Sequence, residues 1–105
     1  MLERHSLPMM MICKNSGIII YANEAAVRFY GFPKNMLENK RIAEINVAPQ
    51  QQILEEIETL IDKKRDHLIL KHKLACGKIK DVEVHALPVN LSGETYLFTI
   101  ITDIS

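Results

Sequence analysis

Apolar residues recur along this chain with two different periods, and the change of period divides it into three blocks. Met9 to Cys13 is an apolar run of strand length. Ile18-Ile19-Ile20-Tyr21 is a second such run, β-branched and aromatic. The turn cluster Lys14-Asn15-Ser16-Gly17 separates them, so the pair is expected to form a hairpin. The period then becomes helical. Asn23 has a side chain that can cap the first free amides of a helix, and Glu24 places a negative charge in its first turn. Ala26, Phe29 and Tyr30 fall on one helical face. Gly31 is expected to end the helix, and Pro33 forbids simple continuation.

From Pro33 to Val47 the pattern predicts one or two short helical turns around Met36, Leu37, Ile42 and Ile45. A longer helix is expected from about Pro49 to about Lys63, where Ile53, Ile57, Leu60 and Ile61 form one stripe and Pro49 suits the first turn. In the last third the period falls to two. Strands are expected over 67–74, 79–89 and 95–102, separated by the turn Ala75-Cys76-Gly77-Lys78 and a loop over 90–94. Two blocks of strands flanking one block of helices imply an α+β fold with a largely antiparallel sheet.

The length of 105 residues suits one domain with one core, with residues 1–6 as a polar N-terminal lead-in and 7–105 as the domain proper. Hydrophobic residues make up 48% and charged residues 25%, an ordinary globular balance. Lysine plus arginine equals aspartate plus glutamate at 13 each, with no basic block. This argues against nucleic acid or direct membrane contact. The one apolar run near the start, Leu7 to Cys13, is interrupted by Pro8 and is too short to span a bilayer. Cys13 and Cys76 belong to no CxxC pair and read as free thiols.

The element order, together with several short motifs, resembles the PAS domain (sensory box) family over positions 7 to 105. The motifs are Gly17-Ile18-Ile19-Ile20-Tyr21-Ala22-Asn23-Glu24-Ala25 at the first helix, Gly31-Phe32 closing it, Leu37-Glu38-Asn39-Lys40 after it, Gly77 in a late hairpin and the terminal Asp103-Ile104-Ser105. Two departures from the family pattern are Asn39, where a glycine is usual, and Cys76, where aspartate or asparagine is common. Asparagine is the next most tolerant residue for a left-handed backbone.

The resemblance implies a five-stranded antiparallel sheet flanked by short helices and one longer helix. It also implies a sensory input role in a bacterial, cytoplasmic signalling protein, and it is compatible with a parent protein attached to a membrane. It further implies that Asp103 lies at the signal output. There the last strand would hand over to an effector domain beyond residue 105: a histidine kinase, a diguanylate cyclase or phosphodiesterase, or a transcription regulator. A simple capping role for Asp103 is compatible with this.

A sensor needs a ligand or a cofactor. Haem-binding relatives place an axial histidine on the long helix, and 50–63 contains none. Photoactive flavin relatives need an Asn-Cys-Arg-Phe-Leu-Gln element, which is absent. Both cofactors are therefore unexpected, and a small metabolite is the remaining candidate. His72 is the residue that stands out. By alternation it shares a face with Leu68, Leu70 and Leu74, opposite Ile69, Lys71 and Lys73, and so points toward the helices. A polar group there must find a partner. A core histidine bonded to backbone or water is the plainer reading; a contact to a small carboxylate or other metabolite is the sharper one.

Tyr30, Phe29 and Arg41 are weaker candidates for the same pocket, with core packing as the alternative for the two aromatics and a solvated charge for Arg41. His5, His67 and His85 lie too far apart or on exposed faces to suggest a metal, and Met9, Met10 and Met11 are consecutive on a strand and cannot share a face. Nucleophile-elbow, phosphate-loop and zinc-protease motifs are all missing, so the chain is expected not to be an enzyme.

Several strands are apolar on both sides. Tyr96, Phe98 and Ile100 occupy one face of the last strand, and Leu97 and Ile101 the other. The second face, with Ile69, is expected to be the sheet's outer surface, covered by a second copy in a homodimer. Removed flanking helices would cover it equally well. A ligand-free dimerisation module is thus the alternative to a ligand sensor.

Overall fold

The computed structural model describes residues 7–47, 55 and 67–105. Its elements are β1 (Met9–Cys13), β2 (Ile19–Ala22), α1 (Glu24–Tyr30), α2 (Lys34–Leu37), a 3₁₀ turn (Ile42–Glu44), β3 (His67–Lys73), β4 (Ile79–Leu91) and β5 (Glu94–Asp103). The five strands form one antiparallel sheet in the order β2-β1-β5-β4-β3. The fold class expected from the sequence is the one observed. The long helix expected near 49–63 and the lead-in 1–6 lie outside the described residues.

Local chemistry accounts for most boundaries. The Asn23 side chain accepts from the Ala26 amide at 2.9 Å and caps α1. The same oxygen accepts from the Met9 amide at 2.9 Å, and the Asn23 amide group donates to the Leu7 carbonyl at 3.0 Å. One buried side chain thereby joins the start of the helix to the start of the sheet. Gly31 closes α1 with φ of 83°, a left-handed conformation that would push a side chain against Ala75. Asn39, where the resemblance led to the expectation of a left-handed backbone, also has a positive φ of 98°. The loop expected over 90–94 is instead a tight turn at Ser92-Gly93, both with positive φ, and β4 and β5 pair up to Leu91↔Glu94. Two successive positive-φ residues match the twist of a hairpin, so the strands run further than composition suggested.

The core lies between one face of the sheet and α1, α2 and the 3₁₀ turn. Met10, Ile12, Ile19, Ala26, Tyr30, Leu37, Ile42, Ile45, Val82, Val84, Leu97 and Ile101 form it. Both sheet edges carry extra backbone pairing. Ile19 exchanges hydrogen bonds with the 39–40 segment beside β2, and the 45–47 segment bonds to Lys71 and Lys73 of β3. These contacts blunt edges that would otherwise be open to strand addition.

The two faces of β5 are opposite to the sequence expectation. Leu97 and Ile101 are 2% and 1% exposed and face the helices, paired with Ile12 and Val84 respectively. They are core residues, so they cannot form a dimer surface. Tyr96, Phe98 and Ile100 face outward, beside Leu87 (63% exposed), and Ile69 (64% exposed) stands outward on β3 as expected. The reason is positional. β5 is the central strand and apolar on both sides, so alternation identifies two faces without saying which one the helices cover.

Candidate ligand-contact site

His72 sits near the end of the edge strand β3, in line with the inward residues Leu68 and Leu70, and is 1% exposed. Its backbone bridges to Asn46, another buried polar residue. Tyr30 is the last residue of α1. The left-handed Gly31 turns the chain there, and the Ala75 amide donates to the Tyr30 carbonyl at 2.8 Å, tying the helix end to the β3–β4 turn. These constraints place the Tyr30 hydroxyl 2.7 Å from His72 Nδ1. The Phe29 ring packs edge-on against Tyr30, with centroids 4.9 Å apart.

The sequence candidates Tyr30, Phe29 and His72 therefore meet in space. Arg41 does not join them. It is exposed, its backbone bridges to Ile18, and its amide is held by the Glu44 carboxylate at 3.0 Å, so its role is to open the 3₁₀ turn. An open groove lined by Tyr21, Asn23, Glu24, Val27 and Lys34 includes none of the three.

Burial sets the electrostatics. Desolvation pushes the His72 imidazole down to about 4 and raises the Tyr30 phenol well above its ordinary value. At neutral pH both groups are uncharged. Tyr30 satisfies Nδ1 of the ring, while Nε2 has no hydrogen-bond partner among the described residues. An unmet buried polar atom costs about 1–3 kcal/mol, so a retained one asks for an explanation. Nδ1 is thus bonded to a side chain, where the plainer sequence reading had backbone or water.

Sequence reasoning overlooked Lys80. It stands directly across from His72 in β4, and its ammonium pairs with Asp103 at 3.1 Å. The signal was available, since alternation puts Lys80 on the same face as Val82 and Val84, an odd place for a charge. Asp103 also accepts from the Ser105 amide at 3.0 Å, and the Ile104 amide donates to the Asp81 carbonyl at 3.1 Å. The Ser105 amide, followed by the Lys80 ammonium, holds the Asp103 carboxyl below the usual carboxylate range. The inner sheet face thus presents His72, Lys80 and Asp103 on three successive strands at one end.

A short-helix α+β unit, with an antiparallel sheet backing a buried polar pair and an ion-paired final strand, has the build of a small sensory module. The chain belongs to the PAS domain family, whose model matches residues 7–105. It is a PAS sensory domain, an input module of signalling proteins. The curated relatives include diguanylate cyclase DgcM of Escherichia coli K12, 33% identical over 104 residues. The match covers 96% of this chain and 25% of DgcM, so the chain spans about a quarter of the relative's length. Among solved structures, the PAS domain of a Desulfitobacterium hafniense protein superimposes with a TM-score of 0.85 at 22% identity, covering 98% of this chain and 97% of that one. The PAS domain of an HTR-like protein from Haloarcula marismortui gives 0.83 at 20% identity, covering 97% and 84%. Among the described residues no helix is long and apolar enough to cross a membrane, and no group of three or more His, Cys, Asp or Glu could hold a metal.

Proposed function

We propose that this PAS domain senses a small metabolite held against His72, beside Tyr30 and Phe29, and that binding alters the exit at Asp103 to bias a linked effector between two states. The observation that supports this is the buried Nε2 of His72, which has no hydrogen-bond partner among the described residues. A ligand atom hydrogen-bonded there would remove a standing cost, and it would do so one strand away from Lys80, the partner of Asp103. The domain itself acts without catalysis. The effector is of the diguanylate cyclase kind, as in the E. coli relative, and the parent protein works in the cytoplasm. Haem and photoactive flavin are not the ligand. Cys13 lies on an outward position of β1 and Cys76 in an exposed turn.

Native mass spectrometry of the domain purified from cells tests this. A small-molecule adduct that is lost in His72→Phe supports sensing. An adduct-free spectrum, unchanged after incubation with cell-extract metabolites, would sink it.

A second reading has its own support. Leu87, Tyr96, Phe98 and Ile100 form an apolar patch on the sheet's outer face, with Ile69 outward on β3 across from Glu83, and the patch suits a second copy of the chain in a homodimer. Ile69→Lys combined with Leu87→Lys is expected to give a folded monomer by sedimentation equilibrium, where the parent sequence gives a dimer. An unchanged sedimentation mass would reject this face. A dimer without an adduct would make the domain a ligand-free alignment module.

A further inference from the structure

The Tyr30–His72 pair determines which hydrogen-bonding character the interior offers. A neutral imidazole carries one proton, on Nδ1 or on Nε2. Suppose Nδ1 carried it and donated to the Tyr30 oxygen. The Tyr30 hydroxyl hydrogen would then have no acceptor, since Nδ1 is the only partner of that hydroxyl among the described residues, and the bare Nε2 would be unmet as well. Two buried groups would go unsatisfied. If instead Tyr30 donates to a bare Nδ1, the proton sits on Nε2 and only that one N–H is unmet. Burial keeps both groups uncharged at neutral pH, which leaves these two arrangements as the choice. The second leaves fewer unmet groups and is favoured.

We propose that His72 presents an Nε2–H donor to the interior, and that the ligand group seated on it is an oxygen acceptor, a carboxylate or a carbonyl, and not an amine. The presence of a ligand rests on the sensing reading above; the tautomer does not. Tyr30 is the positioning residue, because its hydroxyl selects the ring nitrogen that carries the proton. A hydroxyl can also turn to accept, so Tyr30 would keep its bond to Nδ1 if a bound carboxylate drew a second proton onto the ring.

Long-range proton–nitrogen correlation spectra of the histidine-¹⁵N-labelled domain at pH 7 read the tautomer without any ligand, with His72→Phe assigning the signal. A protonated Nε2 and a bare Nδ1 are expected. A protonated Nδ1 would overturn the proposal, since Nε2 would then be an acceptor seeking a donor. The ligand class is tested in the same samples with three probes of similar size: propionate, butanone and propylammonium. A shift of the His72 ring signals with either oxygen probe supports the acceptor class. Propionate alone marks a charged ligand group and butanone alone a neutral one. A shift with propylammonium alone, or with none of the three, would overturn it. The tautomer arm still stands or falls by itself if the native spectrum shows no adduct.

Discussion

Lowering the pH from 7.5 to 5 should destabilise this domain through His72, and replacing that residue should remove the effect. The imidazole is pushed by burial from 6.5 to about 4, so the folded protein keeps it neutral while the unfolded chain takes up a proton below 6.5. The stability it contributes is thus fully present above 6.5 and is lost as pH falls toward 4. A tenfold change in the protonation equilibrium corresponds to about 1.4 kcal/mol, so the whole window from 6.5 down to about 4 amounts to about 3 kcal/mol. At pH 5 the unfolded imidazole is about 1.5 pH units below its midpoint while the folded one is still mostly neutral, which gives a loss of about 2 kcal/mol.

Urea unfolding followed by circular dichroism, at pH 7.5 and pH 5 on the parent sequence and His72→Phe, measures it. Asp103 and Glu38, whose carboxyls are both held low, are present in both proteins and cancel in the comparison. The expected result is a difference of about 2 kcal/mol in pH sensitivity between the two proteins. Equal losses would refute the reasoning, because His72 would then be as hydrated in the fold as in the unfolded chain.

Three further outcomes follow from the same structure. Tyr30→Phe removes the hydrogen-bond partner that the His72 ring has among the described residues and should cost about 1–3 kcal/mol in urea unfolding at pH 7.5; a change under about 0.5 kcal/mol would show that water replaces the hydroxyl. Gly31→Ala forces a side chain into a left-handed position and should lower stability by about 1–2 kcal/mol, and an unchanged midpoint would argue against that backbone. Lys80→Met should change stability by less than about 1 kcal/mol, because its ion pair with Asp103 is partly exposed. A larger loss would mean that the pair is buried more deeply than its geometry indicates.

How far the site could be read in advance varies with the distance between the residues involved. Asn23 as a cap, Gly31 as a helix stop and Asn39 in place of a glycine were legible because each acts on backbone within a few positions of itself. The inward direction of His72 followed from strand alternation alone. Its partner did not, because 42 positions separate Tyr30 from His72 and only the packing of α1 against the end of β3 closes that gap. Nor does any local pattern tell that Arg41 stays apart from them: the pairing of its backbone with Ile18 holds it at the start of β2.

The amino-acid pattern by itself determined the order of the elements, their period and most of their ends, since these depend on short-range sterics and hydrogen bonds. Tertiary structure decided which side of the central strand faces inward, turning Leu97 and Ile101 into core and Tyr96, Phe98 and Ile100 into surface. It also decided that Lys80 lies between His72 and Asp103. Both outcomes depend on which strands become neighbours, and a sheet in the order β2-β1-β5-β4-β3 joins the first strand to the last by contacts that no local pattern encodes.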